Sequence, residues 1–233
     1  MRPSRIIPVL ALFCALAVTR VSATAQAGDV LWLDGEELSI QTNPLEAYLE
    51  VHPDERPHGN VISSGLWRGY VAEWRIEDEQ LWLSDVEVLS RKPGDQFDTQ
   101  MRSVMVEMFP DEDRVSASWF FGHIIIPRGE MVKYVHMGYA SEYERYTVLT
   151  IKAGQLHARR EMDRARYRRF RQAQFDAWKQ TQSYQRQFAE LLDPGDSEQE
   201  IEDFLFDAGV AEYITTVFSQ DPEPSSPDAS RVP

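Results

Sequence analysis

Apolar and polar positions alternate with period two through the first two thirds of the chain, then switch to spacings of three and four towards the C-terminal end. Short alternating runs predict half-buried strands, and the wider spacing predicts amphipathic helices. VLWL-DGEE-LSI reads as a hairpin turning at Asp34-Gly35. Asn43-Pro44 caps and opens a helix to about Val51, and HPDERPHGN follows as a loop. From Leu66 to Val88 the alternation predicts a second hairpin with its turn at Glu77-Asp78-Glu79-Gln80. Pairing Ile76 with Leu81 puts Trp74 opposite Leu83 and Tyr70 opposite Glu87.

After the loop RKPGDQ, Met101 to Met108 fits either strand or helix, and MFPDEDR is a turn. VSASWFFGHIII is rich in strand formers and predicts a strand. Pro127-Arg128-Gly129 then fits a three-residue hairpin loop, which pairs Ile126 with Glu130 and sets Gly122 opposite Tyr134. MVKYVHMGY and YTVLTIKAGQL are further strands. From about His157, some 35 residues lack Gly and Pro and favour helix. Their apolar stripe is Phe170, Ala173, Ala177, Thr181, Tyr184, Phe188 and Leu191, with Pro194-Gly195 as the stop. EIEDFLFDAGVAEYITTVF predicts another helix, capped by Asp196 or Ser197 and broken near Gly209. The tail SQDPEPSSPDASRVP has a disordered composition.

The pattern therefore predicts an α+β chain. An antiparallel sheet, as a sandwich or strongly bent, fills residues 28–157, and a helical segment over 158–219 packs on it before the tail at 220–233.

The first residues change the picture. MRPSR, then IIPVLALFCALAV, then TRVSATAQA match the basic start, apolar run and Ala-x-Ala end of a secretory signal peptide over residues 1–27. Ala27 is the best cleavage position, with Ala23 second, and the apolar run is too short to span a bilayer. The expected location is periplasmic or secreted, with no segment integral to a membrane. The single cysteine, Cys14, leaves with the leader, so the mature chain has no disulfide and its stability comes from packing. Losing Arg2, Arg5 and Arg20 takes the net charge from −14 to −17, which disfavours nucleic acid and anionic lipid as broad partners.

On the Leu66–Val88 hairpin, Arg68 shares one end of a face with Asp85 and Glu87, fitting either an edge ion pair or a ligand-facing polar cluster. Tyr70 lies on that face, while Trp67 and Trp82 on the other form an aromatic platform for sugar or peptide unless a helix covers them. YVHMGYASEYERY gathers Tyr134, His136, Tyr139 and Glu142 around Gly138. There His136 is either a hydrogen-bonded strand residue, a binding residue or an acid/base with Glu142 or Glu144. In the expected register His123 faces away from His136. His52 and His58 flank carboxylates on a proline-rich loop, a poor frame for a metal.

Arg159, Arg160, Arg164, Arg168 and Arg171 invert the local charge. They either meet acidic residues of the same chain or form a patch for an anionic partner. Gly-x-Ser-x-Gly, Walker, dinucleotide and His-Glu-x-x-His patterns are absent, and no cofactor is implied. LWRGYVAEWRIEDEQLWL and YVHMGYASEYE resemble stretches of small β-rich bacterial proteins, over roughly 66 to 154. The resemblance implies a shared β-rich body and carries no function. The expected role is non-catalytic binding of a protein or an envelope polymer. The alternatives are an envelope-polymer hydrolase using a His/Glu pair and a structural role in which the helical stripe drives assembly.

Overall fold

Asp34 and Gly35 both take positive φ, 55° and 81°, and so close a tight turn between β1 (Asp29–Leu33) and β2 (Glu36–Ile40). The computed structural model describes residues 27–95, 97–135, 138–193 and 197–216. The helix expected after Pro44 is a single turn, α1 (Glu46–Leu49), and Asn43 does not cap it with its side chain. Its backbone C=O accepts from Glu46 N–H at 3.1 Å, while its side chain is used elsewhere.

β3 (Tyr70–Glu77) and β4 (Gln80–Arg91) turn at Asp78 and Glu79, with Ile76 facing Leu81 and Trp74 facing Leu83 as the pattern predicts. A bulge at Glu73/Trp74 then moves Tyr70 opposite Val88 instead of Glu87. Ser84 is the extra residue, and its Oγ donates to the Glu73 C=O at 3.1 Å. The ambiguous segment is strand and then helix, β5 (Thr99–Ser103) and α2 (Met105–Met108), followed by the short β6 (Val115–Ser116).

The hairpin expected at Pro127-Arg128-Gly129 does not form. β7 (Gly122–Lys133) runs straight through it and pairs with β8 (Glu142–Lys152), setting Ile126 against Thr147. Gly129, at φ 78°, lies at a register shift, so its freedom serves a bulge and not a turn. Pro127 is tolerated because β7 ends the strand order and needs few donors on its outer side.

The helix expected from His157 starts later. β9 (Gln155–Asp163) pairs with β8, and α3 (Arg164–Trp178) begins where the Asp163 carboxylate accepts from Arg166 N–H at 2.7 Å. Thr181 starts α4 (Gln182–Leu191) in the same way. α5 (Glu198–Ala208) and α6 (Val210–Thr216) are separated at Gly209, as the sequence indicates. The buried stripe of α3 is Tyr167, Arg171, Gln174, Phe175 and Trp178, with Ala173 exposed, because the large aromatics gain most from burial. Residues 1–26 of the leader, and the tail, lie outside the described residues.

The nine described strands form one sheet in the order β2-β1-β3-β4-β9-β8-β7, with β5 and β6 on β4. Every pairing is antiparallel except β1 with β3. The sheet is bent so strongly that its two ends meet. Gln41 N–H donates to the Ile125 C=O at 2.8 Å, Ile125 N–H donates to Thr42 Oγ1 at 3.0 Å, and Arg128 pairs with Glu36 at 2.9 Å.

Alternation along β7 and β8 then serves two cores. Ile124, Ile126, Leu149 and Ile151 join Leu31, Trp74 and Leu83 inside the bend. Ile125, Tyr146 and Val148 face outwards and are covered by Tyr167, Phe175, Trp178, Leu205 and Tyr213 of the helices. The chain is an α+β fold, and its helical stripe is spent on its own sheet and helices. No described helix is long and apolar enough to cross a membrane.

Candidate binding cleft

Asp29 is in phase with Leu31 and Leu33 and therefore points into the core, where a carboxylate needs partners. It has three: Arg68 Nη1 at 3.0 Å, Trp74 Nε1 at 3.1 Å and Ala72 N–H at 3.2 Å. Arg68 also donates to Asn43 Oδ1 and, through Nη2, to the Ala27 C=O at 2.8 Å, and its guanidinium lies 5.1 Å from the Tyr70 ring centre. Tyr139 Oη donates to Asn43 Oδ1 at 2.8 Å, Tyr70 Oη donates to Glu46 Oε1 at 2.8 Å, and Arg56 grips Glu46 at 2.7 and 3.0 Å. One polar network thus joins β1, β3, α1 and the loop before β8.

Burial favours the neutral forms in this network, and the charges oppose it. Against burial, the Asp29 carboxylate holds Arg68 above the usual arginine value, so the guanidinium stays charged. Burial pushes Asp29 up while its three donors pull it back, and beside a permanent cation we take it as a carboxylate. Tyr139 is pushed up by burial, as is Tyr70, with the nearby carboxylates adding to the shift. Burial alone would raise Glu46, but the hydrogen bonds from Arg56 and Tyr70 win and hold it below its ordinary value.

Two members of this network, Asn43 and Glu46, form one wall of a cleft of about 240 Å³. Trp67 stands beside it, and Gly209, Ala211, Glu212 and Thr215 of the helical end close the other side. Trp67 is the residue after a 3-10 turn at Ser64–Leu66, and it is 72% exposed. Glu50 lies one helical turn from Glu46, and burial, then Glu212 and Glu46, push its carboxyl above the usual range. The cleft therefore offers an exposed indole beside three carboxylates, of which Glu46 is fixed by Arg56 and Tyr70, and an amide. Such a surface can stack a ring or an aliphatic chain and receive hydroxyl or ammonium donors.

Of the residues singled out in the sequence, Arg68, Tyr70 and Tyr139 meet in the network, and Trp67 meets them across Asn43 and Glu46. Arg68 is paired with Asp29 and not with Asp85 or Glu87, because the chain leaves the strand before Tyr70 and the bulge re-aims β4. Trp82 does not join Trp67 in a platform. It is half-buried in β4, with Arg114 4.3 Å over its ring. Tyr134 is exposed at the end of β7, and His136 lies outside the described residues. Glu142 faces arginines, Arg168 at 2.9 Å and Arg164 at 3.9 Å, with Lys133 also at 3.9 Å.

The arginines do not make one patch. Arg159 and Arg160 are neighbours on β9 and point to opposite faces, and Arg159 pairs with Asp34 at 2.6 Å. Arg171 is buried, donating to Tyr213 Oη and the Phe206 C=O at 2.9 Å each. His52 stacks on Tyr48 at 4.4 Å, and no group of three or more metal-ligating side chains occurs among the described residues. Asp29, Glu46, Glu50 and Glu212 were not singled out, and Asn43 was named only as a helix cap. The available signals were a carboxylate in phase with buried leucines and two glutamates one helical turn apart.

No protein family, curated protein or solved structure matches this chain, so the resemblance of residues 66–154 to small β-rich bacterial proteins rests on the two quoted stretches alone.

Proposed function

We propose that this chain is an exported, periplasmic or secreted binding module that takes its ligand non-covalently in the Trp67 cleft. The observation that carries this reading is an indole left 72% exposed beside a concave site in which Asn43 and Glu46 are already held by hydrogen bonds. A large aromatic gains little by standing in water, and a wall that need not be ordered on binding saves affinity. An envelope polymer fits best, with a sugar ring on Trp67 and hydroxyl or amino groups towards Glu46, Glu50 and Asn43. Hydrolysis by His136 with Glu142 gains no support from Glu142, whose carboxylate faces Lys133, Arg164 and Arg168.

The test is calorimetric titration of the purified protein and of Trp67→Ala with envelope oligosaccharides and peptides. The expected result is saturable binding of a saccharide that the variant loses while its unfolding temperature stays the same. Equal binding by both proteins, or no saturable binding anywhere in the panel, overturns the reading.

A further inference from the structure

The Trp67 cleft does not end at the helices. Beyond it lies a second groove of about 380 Å³ between α4 and α5, whose walls include Gln187, Glu190, Leu191 and Phe204. The two hollows share Ala208, Gly209 and Glu212, where the chain turns from α5 into α6. A methyl group and a glycine are small obstacles at that crossing. At about 240 Å³ the cleft alone falls below the roughly 300–1,000 Å³ of ordinary ligand sites, and the two hollows together fall within it. We propose that one elongated ligand fills both, and that it is a saccharide chain bearing free amino groups, with one ring on Trp67 and a later ring on Phe204. This rests on the binding-module reading proposed above.

The length of the ligand follows from the apolar surface. Phe204 and Leu205 are successive residues of α5, yet Leu205 enters the helical core while Phe204 stays 43% exposed at the groove, with Leu191 of α4 exposed opposite it. An aromatic face thus stands on each side of the crossing. A chain of stiff rings can rest on both without the ordering cost that a flexible peptide would meet there. The charge follows from the walls. Glu46, Glu50, Glu190 and Glu212 line the two hollows, and among the described lining residues none is a lysine, arginine or histidine. Arg56 matches Glu46. Arg186 offsets the repulsion on Glu50 only in part, since burial, then Glu212 and Glu46, still hold its carboxyl above the usual range. Glu212 accepts from Ser183 Oγ at 3.2 Å and from Gln187 Nε2, which fixes a carboxylate at the crossing itself. Ammonium groups on a passing chain gain charge-assisted hydrogen bonds from these carboxylates, and the −14 of the whole chain favours their approach.

The experiment is calorimetric titration of the purified protein with glucosamine oligomers of two to six rings and with their fully N-acetylated counterparts. Affinity should rise by about tenfold from the two-ring to the six-ring chain, as the ligand reaches the second aromatic face. N-acetylation, which removes the charge and keeps the rings, should weaken the six-ring chain by at least about tenfold. Phe204→Ala and Leu191→Ala should each lower the six-ring affinity towards the two-ring value and leave the two-ring affinity unchanged. The length series on the unaltered protein decides the matter even where a variant fails to fold. Affinity that does not depend on length, or that is equal for acetylated and free-amine chains, overturns the inference and leaves the Trp67 site standing. An oligolysine that binds more tightly than the six-ring glucosamine chain overturns it too. So does a concentration-dependent dimer, seen by sedimentation, that Phe204→Ala abolishes, which assigns the groove to a second copy of the chain. Failure to bind any saccharide overturns this inference and the binding reading together.

Discussion

Arg68 and Trp67 are neighbours in sequence with opposite fates, one buried on Asp29 and the other standing in water. Arg68→Ala should cost about 3–5 kcal/mol in a urea titration, because it strands the buried Asp29 carboxylate. Arg68→Lys should recover only part of that, since a lysine cannot reach Asp29, Asn43 and Ala27 with one planar fork. Trp67→Ala should stay within about 0.5 kcal/mol of wild type in the same titration. Glu46 has a folded-state value below its ordinary 4.5, so its contribution is present above that pH and is lost as pH falls through the depressed value. Glu46→Gln should therefore melt lower than wild type at neutral pH, with the gap closing on acidification below about pH 4.5. Asp29 shifts the other way without a contribution from Glu46 and is common to both proteins, whereas Glu50 is raised in part by Glu46 and is relieved of that part in Glu46→Gln.

Among elements, the tight turns were legible and the long-range choices were not. Asp34-Gly35 and the Glu77–Gln80 turn fixed both early hairpins, and the register at Ile76 and Trp74 followed from alternation. The slip at Tyr70 is marked in β4 by a change of phase across Ser84, from Leu81 and Leu83 to Val86 and Val88, which a reading of uninterrupted alternation passes over. Pro127-Arg128-Gly129 has turn composition, but the isoleucines before it and the tyrosine-rich strand β8 gain more by pairing along one long strand. The start of α3 was obscured by arginines that suit helix and strand surfaces alike, although Asp163 was the capping residue in view. Asp163→Ala should cost about 1 kcal/mol, read by thermal denaturation, through loss of the bond to Arg166 N–H. The cleft was the least legible part. Its walls come from α1, the Ser64–Trp67 segment and α6, which only the folded sheet brings together.

At the scale of the whole molecule, β7 and β8 are a wall between two cores and are apolar on both faces. A chain cut after Asp163 keeps the sheet and exposes Ile125, Tyr146 and Val148. It should aggregate or bind a hydrophobic dye where the full chain does not, as sedimentation and dye fluorescence would report. The place where the bent sheet meets itself has a further consequence, for kinetics. Residues 36–42 join residues 125–128 across as many as 92 positions of the chain, through two backbone-linked hydrogen bonds and the Arg128–Glu36 pair. Contacts so distant in sequence carry a large loop-closure entropy and form late on the way to the native state. Weakening that junction with Glu36→Gln or Thr42→Val should leave the refolding rate nearly unchanged in stopped-flow mixing and speed unfolding instead. The lifetime of the closed sheet is then set at this junction, while the hairpins set how quickly the chain collapses.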